Sequence, residues 1–172
     1  MTDAQHYVHE AETLVLKGLS AEQSATAKTY IRSIVEDWLR QADESSSLDR
    51  DDLVEIGLSD LHSALDSKNG EVRLATLQAL ALKPTVQKLS GQAFDLAKQI
   101  ADGNVKRRTV ARQAEQLQSQ IQRLVQEVRS LKDEENKRLL TRDLNDADLE
   151  VRYVLEEEEG AISIRLNRYI NG

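Results

Sequence analysis

A heptad pattern in the second half of the chain restricts its fold more than any other feature. From 105 to about 142 the sequence contains neither proline nor glycine, and one unbroken helix of that length would be about 55 Å long. Because a repeat of about 3.5 residues keeps two helices in contact only if they supercoil, the pattern predicts a coiled coil. The apolar positions alternate at intervals of four and three residues: Val110, Ala114, Leu117, Ile121, Leu124, Val128 and Leu131.

These seven residues, called the seam here, are the predicted oligomer interface, and a dimer is favoured. The coiled coil could form between chains or by folding back within one chain. The alternative is one long amphipathic helix that packs along an N-terminal bundle. The register fails after Leu131, and Leu139, Leu140 and Leu144 resume on a shifted face. This shift predicts a stagger or a change of packing partner.

The N-terminal part, residues 1–101, predicts a bundle of about five helices. Apolar residues spaced three and four apart indicate helices over 2–17, 21–42, 50–65, 71–82 and 84–101. Ser20 and Gln23 form a capping-box pattern, and Asp49 is a plausible cap for the third helix. Pro84 disfavours helix at the residue before it, so the fourth helix is predicted to end there and a fifth to begin.

The C-terminal part, residues 146–172, predicts a β-hairpin. Val151, Tyr153 and Leu155 are spaced two residues apart, and so are Ile162, Ile164 and Leu166. Four glutamates and Gly160 lie between the two runs, as in a turn. The expected fold class is therefore mainly α, with an N-terminal bundle, a coiled-coil helix at 105–142 and a short hairpin.

Composition excludes several functional classes. The chain has 172 residues, a net charge of −7 and no cysteine, so a disulfide framework, a cysteine zinc site and a thiol nucleophile are excluded. Its charge is segmental: residues 1–80 carry −8, residues 81–140 carry +5 and residues 141–172 carry −4. No apolar run is long enough to span a membrane, and the N-terminus lacks the features of a secretory signal. A soluble, cytoplasmic protein is expected.

A basic turn precedes the seam. Lys106, Arg107, Arg108 and Arg112 come before leucines at 117, 124 and 131, and Asn104 lies eight residues before Arg112. This arrangement resembles a basic-region leucine zipper over about 30 residues, although Arg107 and Arg108 stand where that family has alanines. The resemblance implies an alternative function as a dimeric nucleic-acid-binding regulator that uses the basic turn.

A second local resemblance lies between 66 and 80. The turn Asp66-Ser-Lys-Asn-Gly, followed by Glu-Val-Arg and a leucine- and alanine-rich helix, is similar to the turn and second helix of a HEAT repeat. Weaker echoes begin at Asp102 and Asp146, with irregular separations. The resemblance implies a further alternative, a HEAT-like adaptor built from stacked helix pairs.

Catalytic and metal-binding patterns are sparse. His6, His9 and Glu10 have helical spacing and could touch one ion, but two histidines near a terminus are more often exposed, so no metal site and no cofactor are predicted. The sequence has no glycine-rich phosphate loop, Gly-x-Ser-x-Gly elbow or His-Glu-x-x-His motif. The leading hypothesis is a non-enzymatic helical scaffold or adaptor that self-associates through the seam and binds a protein partner.

Overall fold

The computed structural model describes residues 3–45, 49–66 and 68–155, and all regular secondary structure in this part is helical. The chain is therefore α-helical, as its periodicity predicts, over the described residues. Six helices follow one another along the chain: α1 (Asp3–Val15), α2 (Ala21–Glu44), α3 (Arg50–Leu65), α4 (Gly70–Ala101), α5 (Arg107–Arg129) and α6 (Glu134–Leu155).

The described residues form two compact units. The first comprises 3–84 and 131–134, and the second comprises 85–130 and 135–155. The division falls within α4 at Pro84, so this helix contributes one half to each unit.

The core of the first unit lies between α1, α2, α3 and the first half of α4. Helices α1, α2 and α3 pack against one another in pairs. The fully buried side chains come from all four helices and include Val15, Ile31, Val54 and Leu77. The indole of Trp38 covers Gly57, where the missing side chain allows α2 and α3 to approach closely.

Two predicted helix starts are confirmed at the level of individual hydrogen bonds. The backbone N–H of Gln23 donates to the Ser20 hydroxyl, and the backbone N–H of Ser20 donates to the Gln23 side chain, both at 3.1 Å. The backbone N–H of Asp52 donates to Asp49 at 2.8 Å. These contacts satisfy amides that have no partner within the first helical turn.

Pro84 does not end a helix. The predicted break between 82 and 84 is wrong, because α4 continues through this residue to Ala101. Proline in a helix removes one backbone hydrogen bond at a cost of about 3 kcal/mol. Leu77 before it and Val86 after it are both fully buried. Burial of such side chains contributes about 1.5–3 kcal/mol each, which is enough to keep both halves of the helix in place.

The prediction of one long helix over 105–142 is also wrong, because this segment contains two helices. Helix α5 ends at Arg129, and α6 begins at Glu134. The amide of Ser130 donates to Glu127 O at 3.2 Å, and its hydroxyl donates to the same carbonyl at 2.7 Å, closing the end of α5. The failure of the register after Leu131 therefore marks a break in the helix.

The first strand of the predicted hairpin is helical. Val151, Tyr153 and Leu155 lie in the last turns of α6. These residues were predicted to form a strand because of their spacing by two, but the same segment also belongs to a buried stripe of helical spacing. This stripe comprises Leu140, Leu144, Ala147, Val151 and Val154. The second predicted strand, Ile162 to Leu166, lies outside the described residues.

Candidate interaction surfaces

All seven seam residues are buried within the single chain, with exposed fractions between 0 and 8%. The first six, from Val110 to Val128, form the apolar stripe of α5 in the second unit, and Leu131 belongs to the first. Their accessible surface is thus already covered without a second chain. Their role as an oligomer interface stays a prediction, and it would require α5 to leave this packing.

The four cations of the basic turn differ in their surroundings. Arg107 turns inward: its Nε donates to the carbonyl oxygen of Tyr153 at 3.2 Å, and its guanidinium lies 5.0 Å from the centre of the Tyr153 ring. Lys106, Arg108 and Arg112 are exposed. The nucleic-acid contacts that the zipper resemblance implies for these four residues stay a prediction.

A shallow groove lies between the second half of α4 and α6. Its walls are Ser90 and Phe94, four residues apart on α4, and one face of α6. Ser90 Oγ donates to the backbone carbonyl of Asp143 at 3.4 Å and ties the two helices together. The groove, of about 200 Å³, is called the acidic groove here; its residues on α6 are Asp143, Asp146, Ala147 and Glu150.

Phe94 is the most unusual residue of the acidic groove. It is the chain's single phenylalanine, and 52% of it is exposed, more than any other large apolar side chain in the described part. Aromatic side chains, phenylalanine among them, are enriched in protein interfaces relative to the rest of the surface. Its position beside a polar cleft therefore marks this face as a candidate binding surface.

The electrostatic character of the groove comes from three carboxylates spaced along α6. Asp143, Asp146 and Glu150 line it, and none of the other lining residues among those that the structure describes is basic. Arg142 lies 3.6 Å from Asp143 but is largely exposed, and such surface pairs contribute little because water screens them. Glu150 is only 6% exposed, so it is more deeply buried in the groove than Asp143 or Asp146.

The described residues contain no group of three or more acidic or histidine side chains that could hold a metal ion. His6 instead contacts Glu10, with 2.9 Å between Nε2 and Oε1. Within the described part, no helix has the length and apolar character needed to cross a membrane.

Sequence reasoning did not identify the acidic groove, although a signal was present. In the second half of α4, Val86, Leu89, Ala93, Leu96 and Ile100 form an apolar stripe at intervals of three and four residues. Phe94 lies off that stripe, and a large aromatic residue on the polar side of a helix is uncommon enough to be noticed. The spacing of Asp143, Asp146 and Glu150 places three acids on one helical face, which also needs no structure to see.

Comparisons with protein-family models, with curated proteins and with solved structures found no match to this chain.

Proposed function

We propose that this chain is a non-enzymatic, helical protein-binding module, and that the acidic groove receives a basic, apolar segment of a partner protein. The observation that carries the proposal is the half-exposed ring of Phe94 beside Asp143, Asp146 and Glu150. An exposed apolar side chain next to several side chains of the same charge is the arrangement expected for a surface that selects a partner of opposite charge.

The shallow form of the groove favours a protein segment over a small molecule. Ligand pockets for small molecules usually enclose most of the ligand, which this open groove does not. The acidic groove, at about 200 Å³, holds one or two side chains of a larger partner. Full burial of an aromatic side chain such as Phe94 contributes about 1.5–3 kcal/mol relative to full exposure. Since the ring is already half covered, about half of that range remains for binding.

The charge pattern defines the partner. From Asp143 to Glu150 the carboxylates extend over seven residues, or about 10 Å along α6. A partner helix with lysine or arginine on one face, spaced three and four residues apart, presents cations over the same length. Large aliphatic side chains on the adjoining face would cover Phe94. We therefore propose that the segment bound in the acidic groove is a basic amphipathic helix.

The sequence also predicts self-association through the seam, as part of the leading hypothesis, and raises nucleic-acid binding as an alternative. A seam dimer would have to replace the packing that already buries Val110 to Leu131, whereas the acidic groove is accessible in the single chain. Nucleic-acid binding requires several phosphate contacts, and Arg107 already contacts Tyr153 through a hydrogen bond and its ring.

The experiment is a titration of the chain against a fluorescein-labelled peptide of three Lys-Leu-Leu-Lys repeats, followed by anisotropy. We expect saturable binding that Phe94→Ala weakens about tenfold, equivalent to about 1.4 kcal/mol. Asp146→Asn should weaken it about threefold by removing one exposed charge.

The matched controls are Ile56→Ala, which truncates another half-exposed apolar side chain, and Asp60→Asn, which makes the same change of net charge on α3. Both should leave the affinity unchanged. Equal losses in the groove variants and their controls would show nonspecific attraction to an acidic protein and would refute the proposal. Binding of a labelled DNA duplex in place of the peptide would favour the nucleic-acid alternative.

A further inference from the structure

A second groove, called the basic groove here, lies within the first unit at the C-terminal ends of α1 and α3. Its volume is about 360 Å³. Leu61 and Leu65 form a nearly buried floor, while Leu14 is 36% exposed at its edge. The described residues that line it are Thr13, Leu14, Lys17, Leu61, His62, Leu65, Asp66 and Arg73.

Arg73 fixes the shape of one wall. One terminal nitrogen donates to the carbonyls of Val15, at 2.9 Å, and Lys17, at 2.7 Å, and the other donates to the carbonyl of Lys68 at 3.0 Å. These contacts satisfy carbonyl groups at the end of α1 that have no helical partner. The guanidinium is thus held in place by neutral acceptors, and no carboxylate neutralises its positive charge through these bonds.

The charge of the groove is opposite to that of its surroundings. Residues 1–80 carry −8, yet the described lining of the groove has two cations, Lys17 and Arg73, against one carboxylate, Asp66. A cationic concavity in an acidic surface attracts an anionic group locally while the rest of the unit repels it. An anionic segment is therefore expected to bind at this position on the first unit.

We infer that the basic groove is a docking site for a short acidic segment of a second partner protein, with one large aliphatic side chain at its centre. The aliphatic side chain would cover Leu14 and lie over Leu61 and Leu65, while flanking carboxylates would meet Lys17 and Arg73. This inference goes beyond the proposed function, because the two grooves select partners of opposite charge. A chain with both would act as an adaptor between them.

The test uses a fluorescein-labelled Glu-Glu-Leu-Leu-Glu-Glu peptide titrated with the full chain at low ionic strength. A Kd between about 10 µM and 1 mM is expected for so small a contact. Lys17→Glu should weaken binding at least fivefold, and Leu14→Ser about threefold. The variant Lys28→Glu alters net charge equally at an exposed position of α2, so it should change the affinity less than twofold. Arg73 is left intact because it also holds the end of α1.

Two further measurements identify the chemistry. Replacing the glutamates of the peptide by glutamine, or raising the salt from about 20 to about 200 mM, should weaken binding at least fivefold. Phe94→Ala should leave it unchanged, so that failure at one groove is distinguishable from failure at the other. Absence of saturable binding up to about 1 mM, or equal effects of Lys17→Glu and Lys28→Glu, would overturn the inference.

Discussion

The guanidinium of Arg107, the first residue of α5, lies over the ring of Tyr153 in the last turns of α6, 5.0 Å from its centre. Its Nε also donates to the Tyr153 carbonyl, one of the carbonyl groups near the end of α6. Positive charge is favourable near the C-terminus of a helix. This pair therefore joins the start of one helix to the end of the next.

Loss of the Arg107–Tyr153 contact should destabilise the chain. We expect Arg107→Ala to lower the free energy of unfolding by about 1–2 kcal/mol, from the cation–π contact and the charged hydrogen bond together. Arg108→Ala, at the exposed neighbouring position, should change it by less than about 0.5 kcal/mol. Urea unfolding followed by circular dichroism measures both; equal stabilities of the two variants would contradict the structural role of Arg107.

Two glycines provide a matched test of the packing in the helices. A Cβ at Gly57 would lie 2.6 Å from Cδ2 of Trp38, whereas a Cβ at Gly91 would meet nothing within 4 Å. Gly57→Ala should therefore destabilise the chain by about 1–3 kcal/mol through overpacking. Gly91→Ala should stabilise it by about 0.5–1 kcal/mol, since alanine favours helix. Thermal unfolding and tryptophan emission follow these changes; destabilisation by both variants would contradict the close approach at Trp38.

Tyr7 should ionise at unusually high pH. Its hydroxyl donates a hydrogen bond to Asp51 on α3, and this bond with its carboxylate raises the pKa of Tyr7 from 10.0 to about 12. Because the folded pKa exceeds the unfolded one, the stabilisation is fully present below pH 10 and is lost as the pH rises towards 12.

The ultraviolet absorbance of tyrosinate measures this titration. The wild-type curve should contain a step near pH 12 that is absent in Tyr7→Phe. Asp51→Asn should bring that step back to about pH 10, the ordinary value. A wild-type curve without the high-pH step would show that the Tyr7–Asp51 bond does not form in solution.

The seam should contribute to stability without a second chain. Ile121 is 1% exposed in the single chain, so Ile121→Ala should cost about 2–5 kcal/mol through the cavity that it leaves. Gln122→Ala, at the exposed next position, should cost less than about 0.5 kcal/mol. The melting temperature should also be independent of protein concentration. An increase with concentration would instead favour the seam dimer that the heptads predict.

Helical content and several helix ends could be predicted because they depend on local chemistry. Ser20, Gln23 and Asp49 form caps with residues close in sequence, and α3 begins at 50 and ends at 65 as its periodicity predicts. The Pro84 and hairpin predictions failed for a different reason. Tertiary burial of Leu77, Val86 and Val151 outweighed a local preference, and local patterns do not report which side chains lie together.

The acidic groove illustrates the same limit. Its acids share one face of α6 and Phe94 lies off the stripe of α4, and both facts are visible in the sequence. Their meeting depends on how α4 packs against α6, which brings Ser90 to the carbonyl of Asp143. All seven positions of the heptad pattern are buried, and six of them form the apolar stripe of α5, but periodicity alone does not say which surface covers such residues.

The most direct test of the proposed function is the two-dimensional amide NMR spectrum of the isotope-labelled full chain during titration with the Lys-Leu-Leu-Lys repeat peptide. Binding in the acidic groove predicts that the largest shift changes fall at 90–97 and 143–150, and that Phe94→Ala suppresses them. Shift changes spread evenly over exposed acidic residues of α1 to α3, or unaffected by Phe94→Ala, would contradict the account.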